Sequence, residues 1–266
     1  MAEALAVTPV QAPAALPAGQ PLVNIRGLRM AFGDQLVQQG LDFDIQAGEV
    51  LAIIGGSGCG KSTLMRHLIG LHRPAAGQVR YGSDDLNDCT PEAGASLRRG
   101  FGVMFQAGAL WSSMSVGDNV MLPLQYFSTL TPADIEARAR AKLALVGLAD
   151  SFDAEPSALS GGMRKRAAIA RALALDPALL YLDEPSAGLD PPSAARLDEL
   201  ILQLRHEHGS TVVMVTHELD SLFAVADRAL FLDADKKTMT ALGPPRELLA
   251  SGPQTVRDFL HRQPRP

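Results

Sequence analysis

At 266 residues the chain has room for one large domain or two small ones. Its 47% hydrophobic and 20% charged residues suit a protein with a buried core, and the net charge of −5 argues against a nucleic-acid partner, whose binding face leaves a basic excess. Two cysteines, Cys59 and Cys89, make no disulfide framework and point to a reducing compartment, and no apolar run reaches the roughly eighteen residues of a membrane span.

Residues 1–21 are rich in Ala, Pro and Gln, with Glu3 and no basic start, so a flexible tail is expected rather than a secretory signal. The chain is therefore expected in the cytosol, with any membrane role supplied by a partner. Short β-type runs broken by glycine turns then predict an antiparallel edge leading into a buried strand, EVLAIIG. KSTLMRHLIGL predicts a helix, and GQVRYGS and FGVMFQ further strands, with SDDLND between them as a surface turn.

TPADIEARARAKLALVGL carries Thr131 as N-cap, Pro132 in the first turn and Asp134 to complete a capping box, with Ile135, Ala139 and Leu143 on one face. ALLYLDE and STVVMVTH predict buried strands around the helix PPSAARLDELILQLRHEHG. In that helix Leu197, Leu200, Ile201 and Leu204 face inward, His206 and His208 belong to a solvated end, and Gly209 stops it. The alternation argues for an α/β fold with a largely parallel sheet, interrupted by a helical lobe from about residue 98 to 167. Residues 250–266 predict a short helical extension.

Three groups of residues point to chemistry. Gly55, Gly60, Lys61 and Ser62 in IIGGSGCGKSTL have the spacing of a phosphate loop, placed as it must be between a hydrophobic strand and a helix start. Glycines let backbone N–H groups turn inward around phosphate oxygens, Lys61 reaches the β- and γ-phosphates, and the Ser62 hydroxyl can ligate Mg²⁺. Cys59 inside the loop is either a small side chain that fits or a thiol activated by backbone donors. Asp183 and Glu184 end an apolar strand at the sheet edge where α/β proteins bind ligands, so Asp183 is expected to hold Mg²⁺ and Glu184 to orient the attacking water. Gln106 and His217 end similar strands, as simple strand ends or as sensors of the γ-phosphate and metal.

With these residues in hand, Leu22 to Leu249 resembles the ATP-binding subunits of ATP-binding-cassette (ABC) transporters. GGSGCGKST, spanning Gly55, Gly56, Ser57, Gly58, Cys59, Gly60, Lys61, Ser62 and Thr63, is similar to the Walker A motif. Gln106 matches the Q-loop glutamine, LSGGM with Ser160, Gly161 and Gly162 the family signature, LLYLDE Walker B, AGLD with Asp190 the D-loop, and His217 the switch histidine. The resemblance implies a P-loop NTPase (RecA-like) core with an antiparallel β edge subdomain and an inserted helical subdomain over residues 22–249. It also implies ATP and Mg²⁺ as cofactors, with Gln106 near the metal. The partner implied is a second copy of the chain, whose Ser160–Gly162 helix start closes over the ATP of the first. Met163 replaces the usual glutamine, Gly56 a frequent proline, and Phe32 the tyrosine that stacks on adenine, with the stacking face kept.

After Gln106, the stretch FQAGALWSSMSVGDNVMLPL holds Trp111 beside Leu110 and Met114, either a core cluster or an apolar groove for a partner helix. FQAGALW…MSVGDNV, LSGGM and the helical tail together are similar to the ATPases of the maintenance-of-lipid-asymmetry (Mla) systems. That resemblance implies phospholipid transport at the cytoplasmic face of the bacterial inner membrane. It brings as partners an integral membrane permease, a mammalian-cell-entry (MCE) domain protein and a small STAS-domain protein, and it offers the helix around Val256–Leu260 as a dock for a neighbouring subunit. Other readings are a motor for a different small molecule, a soluble ABC ATPase and a P-loop kinase, the last with no use for LSGGM.

Overall fold

The computed structural model describes residues 21–106 and 108–261. It opens with two long strands, β1 (Pro21–Phe32) and β2 (Gln35–Gln46), then β3 (Val50–Gly55) and helix α1 (Lys61–Leu68). Next come β4 (Ala76–Tyr81), β5 (Asp84–Asp85), α2 (Pro91–Arg99) and β6 (Phe101–Met104). Three helices follow, α3 (Val116–Phe127), α4 (Pro132–Leu145) and α5 (Gly161–Ala172). The chain then returns to alternation: β7 (Leu179–Asp183), α6 (Pro191–His208), β8 (Thr211–Val215), α7 (Leu219–Val225) and β9 (Arg228–Asp233). It ends with β10 (Thr238–Gly243), α8 (Pro245–Ser251) and α9 (Gln254–Leu260).

Two sheets organise the molecule, an antiparallel one in the order β2-β1-β4-β5 and a six-stranded one in the order β10-β9-β3-β8-β7-β6. All pairings in the second are parallel except β9 with β10. The strands of its centre are apolar throughout because they are covered on both faces. Val50, Ala52 and Ile54 enter the core shared with α3 to α7, whereas Leu51 and Ile53 enter the core shared with the antiparallel sheet and α1. This is the α/β architecture expected, with the antiparallel edge in its predicted place.

Register places the site. Ile53 pairs with Val215, and Val215 with Asp183, so the chain leaves β3, β8 and β7 at one edge of the sheet. In β6, Met104 pairs with Leu182, bringing the segment around Gln106 to the same edge.

Several boundaries differ from expectation, each for a physical reason. Pro21 pairs with Gln46 and so belongs to β1 rather than to the tail; the rest of that tail lies outside the described residues. The helical lobe was expected from residue 98, but β6 hydrogen-bonds to β7 in the main sheet, so the lobe begins after Met104. Asp84 and Asp85 in the predicted surface turn form a short antiparallel bridge to β4. The capping box expected at Thr131 is incomplete: its hydroxyl accepts from Asp134 N–H, but the Asp134 carboxylate accepts the Thr131 hydroxyl rather than the backbone N–H. The complete reciprocal box sits at Ser115 and Asp118, at the start of α3. The extension expected from residue 250 starts inside α8, which begins at Pro245, and residues 262–266 lie outside the described residues. Val256 and Leu260 are buried in the molecule's own core and Phe259 packs edge-on against Phe231 at 5.4 Å, which removes that helix face as a dock for a neighbour.

Candidate functional site

The phosphate loop joins β3 to α1. Gly55 has φ 146°, and a Cβ there would lie 2.4 Å from Leu232 O; Gly60, the N-cap of α1, has φ 98° and a Cβ would lie 2.6 Å from Val37 Cγ1. Only glycine serves at either position. Gln38 of β2, fully buried, donates from Nε2 to Cys59 O (2.7 Å) and Asp233 O (3.0 Å) and so clamps the loop backbone from below. That residue gave no sequence signal, since a lone glutamine in a strand reads as solvent-facing. Ser57 and Gly58 are exposed at the loop tip, and a Cβ at Gly56 would meet nothing.

Cys59 is buried in the core between the sheets, and burial pushes its thiol above the ordinary value. A buried thiol among apolar side chains supports the reading of a small side chain that fits. Lys61 Nζ donates to Gly55 O (2.9 Å) and Gly56 O (3.1 Å). An ammonium has three donors, so one remains for a ligand in the loop. Thr63 follows in the first turn of α1, where its carbonyl lies 2.8 Å from His67 Nδ1.

Ser62 Oγ donates to Asp183 Oδ1 across 3.1 Å, joining the loop to the end of β7. Burial, the largest effect, raises the Asp183 carboxyl above its ordinary value, and neighbouring Glu184 adds to this against the Ser62 hydrogen bond, Arg66 and Lys61. A cation would relieve that cost. The two oxygens are hard donors of the kind Mg²⁺ takes, with its remaining positions left to phosphate oxygens and water. Among the described residues no three His, Cys, Asp or Glu side chains converge, so this is no closed protein cage, and the donor set fits Mg²⁺ held jointly with a phosphate ligand.

Glu184 lies one residue beyond the strand and takes φ 52°, a left-handed conformation that costs a non-glycine residue roughly 1–3 kcal/mol. The strand alternation expected to separate Asp183 from Glu184 thus gives way to a strained turn, and such strain clusters at functional sites. His217 Nδ1 lies 2.6 Å from Glu184 Oε2, and its Nε2 3.2 Å from Glu218 Oε1. The first contact holds Glu184 Oε2, which accepts no hydrogen bond from any other group among the described residues. His217 itself is half exposed, two residues beyond β8. Gln106 is exposed in the turn two residues beyond β6, later than the strand end expected.

The remaining predicted residues lie elsewhere on the surface. Phe32 ends β1 with 49% of its surface exposed and His72 edge-on at 5.3 Å, leaving a ring face open. Ser160 caps α5, its Oγ accepting from Met163 N–H at 3.2 Å. Gly161 and Gly162 adopt ordinary backbone angles, and a Cβ on Gly161 would make only a 3.8 Å contact with Leu189. Among the described residues nothing requires glycine at 161. Asp190 caps α6 by accepting from Ser193 N–H at 3.2 Å, and the Ser193 side-chain hydroxyl, before any other group, lowers its carboxyl.

Trp111 is 59% exposed, which decides between the core and surface readings for that side chain. Asn119, fully buried in α3, fixes its loop by accepting from Trp111 N–H (2.7 Å) and donating to Trp111 O (3.0 Å) and Ser115 O (2.9 Å). Tyr126 and Phe127 at the far end of α3 are also exposed.

Comparison with known proteins gives a consistent picture. The family model described as ABC transporter matches residues 38–187. Over 239 residues the chain is 38% identical to the "Probable ribonucleotide transport ATP-binding protein mkl" of Mycobacterium leprae, covering 90% of this chain and 68% of that protein. Among solved structures, cbiO1 from Clostridium perfringens, part of the ABC transporter complex cbiONQ, superposes with a TM-score of 0.79 at 29% identity over 87% of this chain and 92% of its own. A dimeric post-hydrolysis state of the ATP-binding cassette MJ0796, bound to ADP and Pi, gives 0.76 at 28% identity over 84% and 98%.

Proposed function

The chain belongs to the ABC transporter family and is an ATP-hydrolysing cassette, and on that footing we propose that it works as a homodimer driving a membrane transporter of phospholipid. The observation that carries the catalytic part is Glu184, buried at a strained turn beside Asp183 with its Oε2 2.6 Å from His217 Nδ1.

In this mechanism the backbone N–H groups of residues 55–63 and Lys61 hold the phosphates, and the open face of Phe32 receives the adenine. Ser62 and Asp183 would hold Mg²⁺, which when bound would neutralise negative charge on the phosphates. Glu184 orients a water and draws off its proton as it attacks the γ-phosphorus, and the bond to the β-phosphate oxygen breaks to leave ADP and phosphate. His217 fixes the Glu184 carboxylate from the solvent side, and Gln106 on the same edge contacts metal or water. The Ser160–Gly162 helix start and Asp190 of a second copy complete the site. An unencumbered Gly161 and the dimeric, product-bound MJ0796 support this arrangement. Positioning and charge neutralisation supply the rate, since the phosphoryl transition state is loose.

Residues 22–249 form the ATPase domain in this account, with the lobe after Met104 facing the permease. Trp111, held out by Asn119, supports an apolar contact there. Phospholipid as cargo, with MCE- and STAS-domain partners at the bacterial inner membrane, rests on FQAGALW…MSVGDNV and LSGGM. The name of the mycobacterial relative favours a second cargo, ribonucleotide. Recovery of the chain from membranes with its permease, followed by extraction of bound small molecules, separates the two. Phospholipid in the complex supports the first, nucleotide cargo the second, and recovery only as a free protein removes both.

A further inference from the structure

Lys165, in the second turn of α5, is buried with its ammonium facing backbone rather than an acid. Its Nζ donates to Glu184 O at 2.9 Å and to Ala187 O at 2.6 Å. A buried ammonium is costly, and the same two carbonyls could have been served by a neutral donor or by water. Burial, ahead of attraction from Glu184 and Glu218, lowers its proton affinity. Yet the two carbonyls it grips bracket the turn that carries the Glu184 carboxylate. On the other side of the same residue, Glu184 N–H donates to Val215 O at 2.9 Å. Glu184 is thus held at both ends of its backbone, by the strand leading to His217 and by the helix led by Ser160.

We propose that Lys165 is a positioning residue for ATP hydrolysis: its ammonium grips the Glu184 and Ala187 carbonyls, enforces the left-handed turn at Glu184 and so aims that carboxylate. The proposal rests on the catalytic role given to Glu184 above. It also makes α5 a rigid link, because the helix whose first turn meets the second copy's nucleotide is the one that sets Glu184 in its own site.

The test uses the full chain with Mg²⁺ and ATP. Lys165→Met keeps the stem and removes the donor; it lowers kcat about 10–100-fold while KM for ATP stays within about threefold. Lys165→Cys is equally slow, and aminoethylation of that thiol, which restores an ammonium at nearly the native reach, recovers most of kcat; wild type treated alike corrects for Cys59 and Cys89. A kcat for Lys165→Met within about threefold of wild type overturns the proposal, as does a folded Lys165→Cys protein that aminoethylation leaves slow. Glu184→Gln tells the two failures apart. If it turns over at the wild-type rate, the reading of the site is wrong; if it is inactive while Lys165→Met is fast, only the role of Lys165 falls.

Discussion

The two ends of the six-stranded sheet each carry a buried glutamate, and their surroundings are opposite. Glu49, before β3, and Glu184, after β7, are 7% and 8% exposed. Glu49 accepts from Gln46 N–H at 2.7 Å and from Arg228 at 3.2 and 3.3 Å. Around it Asp227 accepts from Val50 N–H (2.8 Å) and pairs with Arg205 (2.8 Å), and Thr211 accepts from Gly48 N–H (2.9 Å). At the other end, Glu184 has a strained backbone and meets the half-exposed His217, and Lys61 is folded onto its own loop. One end spends its polar groups on holding the fold; the other keeps them for a ligand. Burial of a carboxylate therefore says little about function until its partners are counted.

Isosteric substitutions should separate the ends. Glu184→Gln lowers kcat about 10²–10⁴-fold and leaves ATP binding intact, measured by phosphate release and nucleotide titration. His217→Ala, which frees the Glu184 carboxylate, lowers kcat about 10²-fold in the same assay. Asp183→Asn abolishes Mg²⁺-dependent turnover yet raises the Tm of the nucleotide-free protein at neutral pH, because the carboxyl it replaces is disfavoured as an anion in the fold. Glu49→Gln reverses the pattern: turnover changes little, because the groups around Glu49 serve the fold and not the ligand.

The smallest effect concerns Asp198 of α6, another buried carboxylate. It accepts from Ser221 Oγ at 3.0 Å, and burial raises it above its ordinary 3.8. The folded state then holds this proton more tightly than the unfolded one. Its stabilising contribution is present below pH 3.8 and is lost as pH rises through the raised folded value. Asp198→Asn should accordingly gain Tm over wild type near pH 7, with the difference shrinking as pH falls toward 4 in matched thermal melts.

The sequence made the ligand end of the sheet more legible than the opposite end. Glycines at 55 and 60, and the acids after LLYL, are demanded by local backbone and strand geometry, which a short window of sequence contains. The positive φ of Glu184 was hidden, because it depends on β8 and on Lys165, residues distant in the chain. Gln38 and Asn119 were invisible for the same reason: their partners are backbone groups of loops that only the fold brings near. The aromatic at 111 stood open between core and surface, and only packing could decide it. The Val256–Leu260 helix read as free because its partner strand, β9, is not adjacent to it in sequence.

The central claim is that the ATP held at one copy's ligand end is completed by the Ser160 helix start of another. Sedimentation of Glu184→Gln with and without ATP tests it most directly, beside the double variant that adds Ser160→Arg. The account predicts a doubling of mass on ATP addition that Ser160→Arg abolishes while ATP still binds. A Glu184→Gln protein that stays monomeric when saturated with ATP, or a dimer indifferent to Ser160→Arg, would contradict it.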